Sequence, residues 1–146
     1  MCTRFVCRRG SVVTGFNFDI DPAVWDHQVM EERDCFSIGI LRPDGLRHSY
    51  HGVNRNGNAG TLLYVHGNPE GAFREGGGCV TVASLTERFI RGELTFDGAL
   101  RLVREKRIVY APDATMQAVL SDRDGRTLLV EPGIGYREET GPYSLA

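Results

Sequence analysis

The sequence predicts an α+β fold in which antiparallel sheet is packed by two helices. Three observations carry this. Apolar residues alternate with period two over the first and last thirds of the chain. Between them, Val82, Leu85, Phe89 and Ile90 fall on one helical face. A second run, with Ala99, Leu100, Leu102 and Val103, does the same. Strands, then two helices, then strands is the order that packs helices on antiparallel sheet.

Each element has a local reason. Thr3 to Cys7 and Val12 to Phe16 read as a hairpin closed by a turn at Gly10. Asp19 to Asp34 is polar and reads as irregular, with Pro22 and Trp25 in it. Cys35 to Leu41 has Phe36, Ile38 and Ile40 in period two, and Pro43-Asp44-Gly45 turns the chain into a strand from Leu46 to Gly52. Asn54 to Asn58 is loop chemistry, followed by a short apolar strand from Thr61 to Val65. Asn68 to Gly78 is a glycine-rich loop ending in Gly76-Gly77-Gly78. It lacks the Lys-Ser/Thr of a phosphate-binding loop and reads as a flexible loop on the substrate side.

Gly92 sits where the first helix should end, and Thr95 is placed to cap the second. Arg101, Arg104, Lys106 and Arg107 gather towards that helix's C-terminal end, where its dipole favours cations. Asp122-Arg123-Asp124-Gly125 joins strands Thr115 to Ser121 and Thr127 to Glu131. The stretch from Pro132 is turn-rich, with Tyr143 to Ala146 beginning a further strand.

The 146 residues suit a single domain, 1–146, with its own core. A net charge of −2 gives no reason to expect nucleic acid or an anionic membrane as partner. No apolar run approaches the ~18 residues of a membrane span, and no secretory pattern follows Met1, so a cytoplasmic location is expected. Of the four cysteines, Cys7, Cys35 and Cys79 read as small buried apolar groups. His48 and His51 are three apart on a strand, which puts them on opposite faces and argues against a shared metal. His66 reads as a surface or core histidine rather than a pocket residue. No cofactor is expected.

Cys2 is different. Once Met1 is removed, it carries a thiol and an α-amine on one residue. The amine has a reference pKa of about 7.7–8.0, so part of it is neutral near pH 7 and can take the thiol proton. Asp19, just past the end of the returning strand, comes back beside Cys2 and can hold that amine.

The opening Met1-Cys2-Thr3-Arg4-Phe5-Val6, followed after the hairpin by Gly15-Phe16-Asn17-Phe18-Asp19, resembles the choloylglycine hydrolase family, which includes bile-salt hydrolases and penicillin V acylases. The resemblance implies part of an αββα N-terminal-nucleophile sandwich. It implies hydrolysis of a linear amide C–N bond in a small-molecule N-acyl amide, with Cys2 as nucleophile and Asp19 holding its amine. His51 to Gly57 is similar to the family's N-x-x-G loop, and by spacing Tyr64 would supply a main-chain N–H to the oxyanion hole. Ala118 to Asp122 through Leu129-Val130-Glu131 resembles the family's D-x-x-G…VVE hairpin.

There are two departures. Phe16 stands where the family has an arginine beside the nucleophile, which implies a less activated thiol and an altered substrate pocket. The family's oxyanion asparagine, from a Thr-Asn pair, and a second arginine come after the region matched here. The chain thus resembles an N-terminal half, with a sheet face uncovered through which copies could self-associate. A second reading therefore stands beside the first: a catalytically silent member serving as a binding or interaction module. Trp25 to Glu31 and Asn68 to Gly78 are the segments expected to choose among amides.

Overall fold

The computed structural model describes residues 2–146. Among them the order is β1 (Thr3–Cys7), β2 (Val13–Asn17), β3 (His27–Glu31), β4 (Cys35–Leu41), β5 (Arg47–Asn54), β6 (Ala59–Tyr64), β7 (Cys79–Thr81), α1 (Val82–Ile90), α2 (Phe96–Glu105), β8 (Arg107–Val109), β9 (Met116–Ser121), β10 (Thr127–Glu131), β11 (Gly135–Glu139) and β12 (Tyr143–Leu145). The strands form a seven-stranded sheet in the order β11-β10-β9-β6-β5-β4-β3 and a three-stranded sheet in the order β12-β1-β2. Both are antiparallel, while β7 and β8 form a short parallel pair. The α+β expectation holds.

The two helices start as their caps dictate. Thr81 Oγ1 accepts from the Ser84 N–H and Thr95 Oγ1 from the Gly98 N–H, both at 3.1 Å. Gly92 takes φ +77 just past α1, a conformation that favours glycine. The inner face of α1 (Val82, Leu85, Phe89, Ile90) is fully buried on the seven-stranded sheet. Gly52 and Gly60 permit this approach, since a Cβ on either would lie under 3 Å from Ile90. Ala118, Leu120, Leu128 and Val130 complete the core on the helix side.

The opposite face of that sheet meets the three-stranded one. Arg4 of β1 and Arg8 just past it reach across to Ser121 and Thr127, the strand neighbours that face away from α1. The layers are therefore helix, sheet, sheet, which is three of the four layers of an αββα sandwich. Among the described residues, no helix is long and apolar enough to cross a membrane.

Five expectations need correction. The Asp19 to Asp34 stretch contains β3, an edge strand whose His27, Gln28, Val29 and Glu31 are exposed, so no apolar alternation announces it. The turn-rich tail contains β11, the other edge, for the same reason. Arg107 belongs to β8 rather than to the helix end, and the Gly76-to-Gly78 run leads into β7 before α1 begins. Cys7, Cys35 and Cys79 are half-buried rather than core groups.

Candidate active site

Alternation along β1 sends Arg4 and Val6 inward, both buried, and leaves Phe5 exposed. Cys2 continues the inward series and is half-buried. Thr3 pairs with Asn17, so the chain leaving β2 passes directly beside Cys2. Cys2 Sγ lies 3.7 Å from the main-chain carbonyl of Asp19. The hairpin thus brings these two residues together. Met1, and with it the expected processing, lies outside the described residues.

Phe16 pairs with Arg4 across the hairpin and stacks on His51, with ring centroids 4.3 Å apart. Sequence reasoning underrated both of these neighbours. Arg4 is 0% exposed and makes hydrogen bonds to the Phe5 carbonyl (2.7 Å) and Ser121 Oγ (2.9 Å). Its Nε is buried with no partner among the described residues. Burial pulls the guanidinium down to about 10, so it stays charged at neutral pH. Period two along β1 could have placed it inside, next to Cys2 in the inward series.

His51 shares a 2.6 Å hydrogen bond with Thr61 Oγ1. Burial, and then the nearby Arg4 charge, push its pKa down from 6.5 to about 4. The folded protein keeps this ring neutral, while the unfolded chain takes up a proton below about pH 6.5. Stability present above pH 6.5 is therefore lost as pH falls towards 4, by on the order of 2–3 kcal/mol. The loss of denaturant midpoint between pH 7.5 and pH 4.5 is expected to shrink in His51→Gln. An unchanged pH dependence in that variant would contradict the buried neutral ring.

His48 lies on the helix side, between Asp44 Oδ2 (2.7 Å) and Glu87 Oε2 (3.5 Å). Burial disfavours its charge, but the two carboxylates outweigh burial and raise its pKa. Its stabilising contribution has the opposite sign to that of His51: present at low pH, lost as pH rises. His48 and His51 thus serve different neighbours on different faces, and His66 is exposed.

Tyr64 ends β6. It pairs with Met116, and the next residue, Val65, donates to the Thr115 carbonyl at 3.1 Å. Antiparallel ladders alternate, so the Tyr64 N–H points away from β9 towards β5. There the β5–β6 pairing ends at His51 and Thr61. The Tyr64 ring leans on Trp25 (5.9 Å) and Tyr50 (6.2 Å), and its hydroxyl accepts from Arg42 Nη1 at 3.1 Å. An open cleft of about 530 Å³ runs from Tyr64 along Asn68 and Phe73 to Tyr110. Two segments singled out from sequence, at Trp25 and at Asn68 to Gly78, therefore both reach Tyr64. By strand register, Tyr64 and Cys2 both lie towards one end of the sandwich. Phe16 and His51 mark its middle, with Cys2 two residues beyond Arg4 on β1 and Tyr64 three beyond Thr61 on β6.

No family model matches the chain, and no curated protein does. Solved structures do. The chain matches a conjugated bile acid hydrolase from Clostridium perfringens, solved as a mutant whose second residue is changed from cysteine to alanine. The TM-score is 0.65 and identity is 16%, over 94% of this chain and 50% of that one. An arginine-to-leucine variant of the same enzyme gives 0.66 and 16%, over 97% and 52%. Penicillin V acylase from Agrobacterium tumefaciens gives 0.51 and 18%, over 97% and 42%. The fold is that of the N-terminal-nucleophile hydrolases. The chain spans about half the length of the solved structures it matches.

Proposed function

We propose that this chain hydrolyses the C–N bond of a linear, small-molecule N-acyl amide, with Cys2 as nucleophile. The observation that carries the reading is the placement of Cys2 beside Asp19 on the inner face of the hairpin, in a fold shared with two acyl-amide hydrolases.

In this reading, removal of Met1 frees the Cys2 α-amine, which takes the thiol proton. The Asp19 carboxylate orients the amine. The thiolate attacks the amide carbonyl, and the developing oxyanion is met by the Tyr64 N–H. The C–N bond then breaks, the amine passes its proton to the leaving nitrogen, and an acyl thioester remains. Water attacks the thioester, releasing a carboxylic acid and restoring the thiol. The aromatic lining of the cleft, Tyr64, Phe73 and Tyr110, suits an apolar acyl group.

Intact-mass spectrometry after a β-lactam or activated-amide probe tests this directly. One acyl adduct on Cys2 is expected, on protein lacking Met1. Retention of Met1, or label confined to Cys7, Cys35 or Cys79, rejects the reading.

One observation favours the second reading, a catalytically silent binding module. Phe16 offers no charge beside Cys2 and is stacked on a neutral His51. Turnover that vanishes in Cys2→Ala would exclude it.

A further inference from the structure

Arg42 lies just past β4, before the Pro43-Asp44-Gly45 turn. In the structure it is 7% exposed. Its guanidinium lies over the rings of Trp25 (5.4 Å) and Tyr50 (5.6 Å). It forms an ion pair with Asp113, with Nε donating to Oδ2 at 2.8 Å and Nη2 standing 2.6 Å from the same oxygen. Nη1 donates to the Tyr64 hydroxyl. A buried ion pair is weak evidence for stability, because desolvation cancels much of its attraction. Its value lies in what it holds in register.

Five segments meet on this one cation: the loop carrying Trp25, the end of β4, β5 through Tyr50, the end of β6, and the loop before β9 that carries Asp113. That last loop also grips the main chain just beyond Tyr64. Thr115 accepts from the Val65 N–H at 3.1 Å, and Thr115 Oγ1 donates back to the Val65 carbonyl at 2.7 Å. Tyr64 is thus held by its hydroxyl from one side and by its following peptide from the other, and Arg42 joins the two grips through Asp113.

We propose that Arg42 is a positioning residue for the oxyanion site: it fixes the main chain at Tyr64, and hence the direction in which the Tyr64 N–H points. The inference rests on the reading of Tyr64 as an oxyanion donor. Arg42 itself touches neither the substrate nor Cys2. A hydrogen bond to a developing charge is sensitive to sub-ångström placement, so loosening this peptide weakens transition-state binding more than substrate binding.

The test compares wild type, Arg42→Met, Arg42→Lys and Tyr64→Phe, using an activated N-acyl amide as substrate. Arg42→Met is expected to lower kcat about 10–100-fold with KM changed less than about threefold. Arg42→Lys keeps the charge and should recover part of the loss. Tyr64→Phe removes only the hydroxyl that Arg42 grips, on an exposed side chain that folding does not need, and should lower kcat about three- to tenfold. Two controls separate position from general damage. Alkylation of Cys2 by iodoacetamide forms no oxyanion and should proceed at the wild-type rate in all variants. Hydrogen exchange should rise locally over residues 62–66 in Arg42→Met and Tyr64→Phe. Wild-type kcat in a folded Arg42→Met or in Tyr64→Phe overturns the inference, as does a parallel fall in Cys2 alkylation. Wild-type protein that turns over no amide would instead sink the hydrolase reading, and this inference with it.

Discussion

Cys2→Ala is expected to abolish amide turnover, lowering kcat on the order of 10⁴–10⁶-fold, with substrate affinity nearly kept. Removal of the attacking atom leaves only binding and oxyanion stabilisation, which account for a small residual rate in hydrolases of this general kind. The side chain is half-buried and is no part of the main core, so stability should change by less than about 1 kcal/mol. This split is what distinguishes a nucleophile from a structural cysteine. A variant retaining a tenth of wild-type activity would remove Cys2 from the mechanism. The corresponding change at Cys35, whose thiol lies 3.7 Å from Glu32, should leave turnover intact.

The largest structural effect is expected at Phe89. It is fully buried at the centre of α1's inner face, between Leu85 and Ile90 in the same cluster. Its main-chain carbonyl also accepts from Asn54 Nδ2 at 3.3 Å, which ties the end of β5 to the helix. Phe89→Ala removes a ring that nothing nearby can replace, and should cost about 3–5 kcal/mol. A domain of this kind has roughly 5–15 kcal/mol to lose, so melting should fall on the order of 10–15 °C. Circular dichroism during heating reads this directly. A loss under about 1 kcal/mol would mean that α1 does not form the core described.

What could be read from the sequence was local. The β1–β2 and β9–β10 hairpins declare themselves through Gly10 and Asp122-to-Gly125, and the helices through their apolar faces with Gly92 and Thr95. The approach of Cys2 to Asp19 follows from one hairpin, so it too was legible. The edge strands β3 and β11 were hidden because both of their faces are largely exposed, which removes the alternation that marks a strand. Arg4 and Arg42 were hidden for another reason. A charged residue reads as surface, and what lets these two stay inside lies far along the chain, at Ser121 and Asp113. The direction of the Tyr64 N–H is likewise set by pairing with β9, which no local pattern around β6 specifies.

The pairing of β1 with β12 joins residues far apart in the sequence: Phe5 opposite Leu145, Cys7 opposite Tyr143. During synthesis, β1 can form its hairpin early, but its other edge stays open until residue 145 has left the ribosome. At about 5–20 residues per second, that is a wait of roughly 7–30 s. For that interval β1 is held on one side only, by β2. The topology thus makes docking of the strand next to Cys2 a late step of synthesis, and slower elongation beyond β2 would prolong its open edge.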